Sequence, residues 1–298
     1  MPARLSGTGN TSAYSMPTNV FDLTYVIFPY ILEIIRMILE YALCEVISLN
    51  RVEKIKLKRY NFYSKDVPPE FENVKIVFLS DIHHGKCFST EKLRRLVEMT
   101  NNLNPDLILL GGDYVDRDPN RIPSFFKEAA AFRAPLGVMG VLGNHDRWTD
   151  GELSERCMYE SGITLLDNRA VWVERGGSRI RVGGVGDLTT SNQDLAPMLE
   201  GTKDDDLMIL VTHHPNYVDK LPKDKIDLIL CGHTHGGQIS FRGKWVPHWP
   251  GEEKLKYITG VVKKGSTTII VSNGIGTVGP PIRIWAAPQI WEIVLKKA

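Results

Sequence analysis

Five short apolar segments, each followed directly by a polar, glycine-rich loop, constrain this chain more than any other feature. The segments are rich in Val, Ile and Leu, which is typical of strands buried on both faces of a sheet. Every following loop contains Asp, Asn or His. Because ligand sites in layered α/β folds lie at the carboxyl ends of strands, loops distant in sequence can converge on one site. The five segments are residues 74–79, 106–110, 137–142, 207–211 and 227–231.

The other periodic segments indicate the fold that carries these strands. Residues 90–101 have helical spacing of their apolar positions, and residues 180–185 and 267–271 are further strand candidates. The strands differ in length and long regions separate some of them, which favours two packed sheets over one parallel sheet. We therefore predict an α/β fold: a four-layer α/β/β/α sandwich of two mixed sheets flanked by helices, preceded by an N-terminal amphipathic helix.

The side chains in the loops indicate a site for divalent metal ions. They offer imidazole nitrogen, carboxylate oxygen and amide oxygen, and no thiolate, a set that suits Mn, Fe, Zn and related cations. Two cations close together can lower the pKa of a shared water and stabilise the charge of an in-line displacement at phosphorus. Read together, the loops contain Asp81-Ile-His83, Gly112-Asp113-Tyr-Val-Asp-Arg117, Gly143-Asn144-His145-Asp146, His213-His-Pro215 and Gly232-His233-Thr-His235.

In this order the five blocks resemble the signature of the calcineurin-like metallophosphoesterases. The stretch from Gly232 to Gln238, Gly274-Ile-Gly276 and Pro281-Ile-Arg283 resemble the bacterial YkuE-like branch, in which an N-terminal membrane segment is common. The resemblance covers about residues 50–298. We accordingly expect a tail and helix over residues 1–50 and a metallophosphoesterase domain over residues 51–298.

The resemblance implies which residues bind two metal ions, for which manganese is our first expectation and iron or zinc are alternatives. The reaction would be hydrolysis of a phosphate ester or pyrophosphate by a metal-bridging hydroxide. The implied ligands are Asp81, His83 and His235 for the first ion, Asn144, His213 and His233 for the second, and Asp113 as the bridge.

Beyond the ligands, the resemblance makes His145 a general acid or a stabiliser of the transition state. The neighbouring Asp146 would orient its imidazole. His84 could face the substrate or be structural, and Arg117 could bind phosphate or pair with Asp116. Trp245 belongs to an aromatic segment that could form a wall of the substrate cleft or cap the core.

The N-terminal part of the chain has a different pattern. Residues 1–19 are polar and turn-forming, and residues 21–49 are largely apolar, with Glu33, Arg36 and Glu40 spaced as one polar stripe of a helix. The longest uncharged run is too short to span a bilayer, which needs about 20 residues. Basic residues follow, so the helix could lie on an anionic membrane surface or dock on protein.

Composition narrows the class of protein. With 36 basic and 35 acidic residues, the formal net charge is +1, which argues against a dedicated nucleic-acid binder but not against a nucleotide bound through metals. Four scattered cysteines predict no disulfide framework and favour a reducing compartment. We therefore expect a cytoplasmic protein, either free or peripheral on the inner face of the cell membrane, without an expectation for its oligomeric state.

Three functions stay open from the sequence. The leading hypothesis is a metal-dependent phosphoesterase acting on a soluble phosphodiester or another ester. The apolar N-terminus suggests an amphiphilic substrate, and some members of the branch hydrolyse UDP-2,3-diacylglucosamine. A protein-binding scaffold poor in metal is the alternative from another class, although none of the seven implied ligands is missing.

Overall fold

Two mixed sheets form the centre of the computed structural model, which describes residues 54–240, 256–279 and 281–298. Within these residues each sheet has six strands. The first sheet consists, in spatial order, of β1 (Lys56–Ser64), β12 (Gln289–Lys297), β2 (Lys75–Leu79), β3 (Leu107–Leu110), β4 (Val138–Gly140) and β5 (Thr164–Leu165). The second consists of β10 (Gly260–Lys264), β11 (Thr267–Val271), β9 (Leu228–Cys231), β8 (Met208–Thr212), β7 (Ser178–Gly184) and β6 (Arg169–Arg175).

Strand direction places the predicted loops at common edges. In the first sheet β2, β3, β4 and β5 run parallel, while β12 is antiparallel to β2. In the second sheet β7, β8, β9 and β11 run parallel, and the antiparallel strands β6 and β10 lie at its two edges. The loops after β2, β3 and β4 are therefore neighbours, as are those after β8 and β9.

Successive side chains of the central strands point to opposite faces of the sheet, and both faces are buried, which explains why these segments are apolar at every position. In β2, Ile76 and Phe78 face the core between the two sheets, whereas Val77 and Leu79 face the helices outside. Side chains alternate in the second sheet as well: along β8 and β9 one side chain lies in the core between the sheets and the next lies in the core under the outer helices. Burial on both faces requires apolar residues at every position.

Helices cover the outer faces of the two sheets. Outside the first sheet lie α1 (Thr90–Asn101), α2 (Arg121–Ala129) and α3 (Asn144–Glu160), the last interrupted at Asp150, where the backbone is extended. Outside the second sheet lie the short helix α4 (Ala196–Leu199) and a 3₁₀ segment, Pro215–Lys220. The predicted sandwich of two mixed sheets between helical layers is confirmed.

The element predictions are confirmed for the segments that bear the motifs. All five strands before the polar loops are present within two residues of their expected ends, and α1 and β11 have their expected bounds. The edge strand β1 was not predicted among the apolar strands, because five of its nine side chains are exposed and three are basic. The basic residues that follow the N-terminal segment include Lys56, Lys58 and Arg59 of this strand, and Arg59 pairs with Glu292 of β12 at 2.9 Å. Lysine-rich edges of this kind discourage pairing with other chains.

Several predictions fall on parts of the chain outside the described residues. These are the tail and helix of residues 1–50, including the amphipathic segment 21–49, and the aromatic segment around Trp245. The domain boundary near residue 50 therefore stays a prediction. Among the residues that the structure does describe, no helix is long and apolar enough to cross a membrane.

The cysteines only partly follow the expectation. Cys157 and Cys231 are free, buried thiols. Cys87, in contrast, is disulfide-bonded. The sequence did not predict a disulfide at this position, because scattered spacing in sequence does not measure proximity in space.

The packing of Gly140 in β4 leads to a prediction about stability. A Cβ at this position would lie 2.6 Å from the backbone oxygen of Leu110 and from the Tyr114 hydroxyl, both in the packed interior. We expect Gly140→Ala to lower the free energy of unfolding by about 1–3 kcal/mol, because neither neighbour can yield cheaply. Urea denaturation would measure this.

Gly151→Ala is the matched control, because the added methyl group there meets only the flexible side chain of Arg147, at 3.2 Å. We expect its unfolding free energy to stay close to that of the wild type. Equal stabilities for the two variants would contradict the packing argument.

Candidate metal centre

The site forms where strand ends of the two sheets meet. Two bonds join the sheets directly. Nδ1 of His213, after β8, lies 2.7 Å from the backbone oxygen of Gly111, after β3. The backbone N–H of His233, after β9, donates to the Asp81 carboxylate, after β2, at 2.9 Å. The loops that sequence analysis grouped by position are therefore also in contact in space.

A first group of ligand atoms comes from Asp81, His83 and His235. Nε2 of His83 and Nε2 of His235 are 3.1 Å apart, and Nε2 of His235 is 3.6 Å from Oδ1 of Asp81. All three side chains are buried. These are the three residues implied for the first metal ion, and their donor atoms lie close enough together to bind one cation.

A second group comes from Asn144, His213 and His233. Oδ1 of Asn144 lies 3.1 Å from Nε2 of His213 and 3.0 Å from Nδ1 of His233. The two imidazole nitrogens are 3.2 Å apart. The three residues implied for the second ion thus also converge on one point.

Asp113 lies between the two groups. Its Oδ2 is 3.5 Å from Nε2 of His83 in the first group and 3.3 Å from Nε2 of His213 in the second. One carboxylate in contact with both groups has the geometry that a bridging ligand requires.

The spacing of the donor atoms fits divalent cations. Two ligands bound at about 2.0–2.2 Å, with angles between those of octahedral and tetrahedral coordination, lie roughly 3.0–3.5 Å apart. The separations within and between the two groups, 3.0–3.6 Å, cover that range. The donors are nitrogen and oxygen only, which suits the same cations that the sequence indicated.

The backbone at the site is strained. Five of the seven candidate ligands have positive φ angles, a region that residues other than glycine seldom occupy and that costs about 1–3 kcal/mol each. Such strain persists where the surrounding structure imposes it, and it concentrates at functional sites. The five are Asp81 (51°), His83 (48°), Asp113 (56°), His233 (68°) and His235 (50°).

Two glycines allow the loops to approach each other. A Cβ on Gly143 would lie 2.2 Å from Oδ1 of Asp113, and a Cβ on Gly232 would lie 2.4 Å from Oδ2 of Asp81. Both distances are far below van der Waals contact. Any larger residue would push a candidate ligand out of position.

Burial sets the ionisation of the histidines. It lowers the pKa of His83 to about 3 and those of His233 and His235 well below the usual value, so these rings are neutral and can offer a lone pair. Burial opposes protonation of His213 as well, but the Asp113 carboxylate beside it raises the pKa of His213 well above its usual value. Burial likewise opposes ionisation of Asp113, but His213 and His83 lower its pKa well below the usual value.

Asp146 has a different position from the one predicted. Both of its carboxylate oxygens accept backbone N–H groups: Asp113 at 2.8 Å and Gly143 at 2.9 Å on Oδ2, and Tyr114 at 2.9 Å and Val115 at 3.3 Å on Oδ1. Burial and the nearby Asp113 charge raise the pKa of Asp146 to about 7. The expected orientation of the His145 imidazole by Asp146 is thus corrected, because this carboxylate binds the loop of Asp113 instead.

The imidazole of His145 contacts Asp116, which sequence analysis did not select. Nδ1 of His145 lies 3.0 Å from the backbone oxygen and 3.8 Å from Oδ1 of Asp116. The His145 ring packs edge-on against that of His83, with 4.7 Å between centroids. His145 is therefore beside the candidate ligands, as predicted, and its partner was present in the block Gly112–Arg117.

The three residues proposed for substrate contact have different outcomes. Both ring nitrogens of His84 are engaged inside the protein: Nδ1 lies 2.8 Å from the Phe88 oxygen and Nε2 lies 2.9 Å from the Ser124 hydroxyl. Of the two roles that the sequence left open for His84, these contacts favour the structural one over contact with substrate. Arg117 is exposed next to the site and stays a prediction. Trp245 lies outside the described residues.

Arg283 is a second residue whose role the sequence did not reveal. One guanidinium nitrogen lies 3.0 Å from Nδ1 of His235, and another donates to the backbone oxygen of His235 at 3.1 Å. It also donates to the oxygens of Gly276 and Ala286. The only signal for it in the sequence was its place in Pro281-Ile-Arg283, which carried the resemblance without indicating a contact.

Comparison with known proteins agrees with this geometry. A family model described as calcineurin-like phosphoesterase matches residues 74–237, which include all seven candidate ligands. The chain is 31% identical to the metallophosphoesterase YkuE of Bacillus subtilis, over 81% of this chain and 86% of that protein. It is 30% identical to the phosphodiesterase YaeI of Escherichia coli, over 80% and 86%.

Two further similarities are more limited. A transmembrane protein with a metallophosphoesterase domain from Danio rerio is 30% identical over 78% of this chain, but the match spans only 55% of that protein. Among solved structures, TT1561 of Thermus thermophilus overlaps 68% of this chain and 90% of its own, with 13% identity and a TM-score of 0.46. The fold assignment rests on the sheets themselves rather than on this overlap.

The family match spans more than half of the chain, the matches to YkuE and YaeI each cover 86% of the relative, and the ligand atoms converge as the motifs imply. The chain belongs to the calcineurin-like phosphoesterase family and is a metal-dependent phosphoric ester hydrolase.

Proposed function

We propose that the protein hydrolyses a phosphate ester or pyrophosphate with two divalent cations bound at this centre. The observation that carries the proposal is the position of Asp113, whose Oδ2 is within 3.5 Å of a ligand nitrogen in each group. The name of the relative YaeI, a phosphodiesterase, supports a phosphodiester as the first substrate to test.

The residues would share the cations as the two groups suggest. Asp81, His83 and His235 would hold the first, Asn144, His213 and His233 the second, and Asp113 both. Bound there, the cations would lower the pKa of a shared water and neutralise charge on the phosphoryl oxygens. We expect manganese first, because hard carboxylate and amide oxygens complement the imidazoles, with iron and zinc as alternatives.

His145 would supply the proton to the leaving oxygen. It is buried beside His83 without belonging to either ligand group. Because its Nδ1 faces the backbone oxygen of Asp116, Nε2 is the ring atom that can transfer a proton. The Asp116 carboxylate, 3.8 Å from Nδ1, would stabilise the imidazolium before transfer.

Asp146 would act as a positioning residue for Asp113. Its four bonds to backbone N–H groups tie the loop after β3 to the start of α3. Those bonds hold Asp113 in its strained backbone conformation and bring Asn144 to the same site. The role of Asp146 in the reaction is therefore indirect.

An amphiphilic substrate is the second candidate, and one observation favours it. Two hydrogen-bonded segments expose large apolar side chains, which are those of Ile239 (38%), Ile284 (45%) and Trp285 (63%). The first segment directly follows His235 and the second follows Arg283. An exposed apolar patch beside a site is typical of contact with a lipid or another apolar partner. A UDP-2,3-diacylglucosamine type of substrate, and attachment to the inner face of the membrane, would fit this patch.

Loss of the shared ligand provides the main test. We expect Asp113→Ala to abolish hydrolysis of bis(p-nitrophenyl) phosphate and to remove bound metal, since both cations lose a ligand. Metal analysis after Mn²⁺ supplementation should give two equivalents for the wild type and fewer for the variant. If the supplemented wild type bound no metal, the result would favour the scaffold alternative. If Asp113→Ala kept full activity, the result would contradict the proposed mechanism.

Two neighbouring carboxylates should have separable effects. Asp146→Asn should weaken metal binding by about 10–100-fold, because an amide nitrogen would face N–H donors in the loop of Asp113. Asp116→Asn should leave the metal content unchanged and lower kcat, by less than the roughly 10²–10⁴-fold expected for His145→Ala. Metal titration and steady-state kinetics would measure the two effects. Reduced metal binding in Asp116→Asn, or normal binding in Asp146→Asn, would refute the assignment.

The amphiphilic alternative predicts a substrate preference that depends on the patch. We expect Ile284→Ser to lower kcat/KM for a detergent-dispersed glycolipid nucleotide and to leave kcat/KM for a soluble diester unchanged. Residue 284 is exposed, so the fold should tolerate the change. The same comparison with and without residues 1–50 would test the N-terminal segment. Equal losses on both substrates would argue against an apolar subsite.

A further inference from the structure

Trp148 is a large exposed aromatic residue beside the metal centre. It lies in the first half of α3, and 58% of its surface is exposed. Other aromatic residues that the structure describes are also exposed, but Trp148 is the one among them whose ring contacts His145.

The position of the indole relative to the proton donor indicates what it can contact. From the candidate metal ligand His83, ring contacts lead outward, first to His145 with 4.7 Å between centroids and then to Trp148 with 5.3 Å. In the proposed reaction the oxygen that leaves phosphorus accepts its proton from His145. The group attached to that oxygen therefore lies on the outer side of His145, where Trp148 is the next ring.

Arg117 adds a positive charge to the same place. Its guanidinium carbon is 5.9 Å from the centroid of the Trp148 ring, at the outer limit of a cation–π contact. Arg117 is itself exposed and extends from the loop that carries Asp113. The indole thus has an imidazole and a guanidinium as neighbours, and both are planar and polar.

These neighbours discriminate between classes of leaving group. A leaving group with a saturated hydrocarbon chain is bound best in an enclosed apolar pocket. A planar aromatic group stacks on an exposed indole, and the guanidinium can contact the same stack or an anionic substituent. The net charge of +1 fits a single nucleotide-sized ligand rather than a nucleic acid, whose binding surfaces are strongly basic.

We propose that Trp148 and Arg117 form a subsite that binds a planar aromatic group, such as a nucleobase, on the leaving-group side of the phosphoryl centre. The proposal deepens the function proposed above and rests on its orientation of the leaving group toward His145. Trp148 contacts the substrate in this subsite and determines specificity, whereas the chemistry stays with the metal ligands and His145.

The test is a binding measurement on the full chain loaded with Mn²⁺. Adenosine 5′-monophosphate is compared with ribose 5-phosphate by calorimetry, with the integrity of each ligand checked afterwards. We expect the wild type to bind the nucleotide about tenfold more tightly, the lower end of what base stacking contributes. In Trp148→Ala the two affinities should come within about twofold of each other, and Trp148→Phe should keep most of the preference.

Tyr159→Ala is the matched control. Tyr159 is also an exposed aromatic residue of α3, but it lies in the second half of the helix and lines a separate groove of about 940 Å³. We expect it to leave both affinities unchanged. A wild type without preference for the nucleotide, or a preference that survives in Trp148→Ala, would overturn the proposal.

A kinetic comparison distinguishes stacking from bulk. Dibenzyl phosphate and bis(cyclohexylmethyl) phosphate have leaving groups of similar size and basicity, but only the first is aromatic. We expect Trp148→Ala to lower kcat/KM for the benzyl ester about tenfold more than for the cyclohexylmethyl ester. Equal losses would show that Trp148 supports His145 or merely adds apolar surface. Failure of the wild type to hydrolyse any ester would contradict the proposed function, while the binding preference would still report on the subsite.

Discussion

The Asp146 carboxylate is the interaction on which the rest of the site depends. It is buried and accepts four backbone N–H groups, three from consecutive residues after β3 and one from Gly143 at the start of α3. A carboxylate so placed satisfies donors that would otherwise be orphaned at a turn and at a helix N-terminus. It also fixes the distance between two loops that each carry a candidate ligand, Asp113 on one and Asn144 on the other.

Hydrogen bonds between the other loops of the site explain why the strained backbone is maintained. Left-handed conformations at Asp81, His83, Asp113, His233 and His235 would relax if the loops were free. They persist because hydrogen bonds hold the loops of both sheets in place. The N–H of His233 donates to Asp81, and Nδ1 of His213 bonds the Gly111 oxygen. The guanidinium of Arg283 donates to the backbone oxygen of His235. Glycines at 143 and 232 remove the side chains that would keep the loops apart. The packed sheets therefore supply the energy that preorganises the ligand atoms.

The buried carboxylates at the centre favour the binding of cations. Burial raises the pKa of Asp81 to about 6 and that of Asp146 to about 7, and the charge of Asp113 adds to both shifts. Three carboxylates held together in the interior are costly unless positive charge compensates them. His213 provides part of that charge, because Asp113 raises its pKa. Divalent cations would supply the rest and would release the histidine to act as a neutral ligand.

The sequence by itself determined the elements and the chemistry. Apolar runs ending in Asp, Asn and His predicted β2, β3, β4, β8 and β9, and the types of side chain predicted a site for divalent cations. Local patterns in the sequence could not show which residues are in contact when those residues are far apart in the chain. The pairing of β1 with β12 is one example, and the contact between Arg283 and His235 is another. Being adjacent in sequence to a site residue did not give Asp146 or His84 the expected contact. The helix turns the Asp146 carboxylate away from His145 and toward the loop of Asp113. The His84 ring contacts Phe88 and Ser124 instead of facing a substrate. Only the tertiary structure assigned Asp116 to His145 and placed Trp148 beyond it, since those contacts depend on how two sheets and a helix pack together.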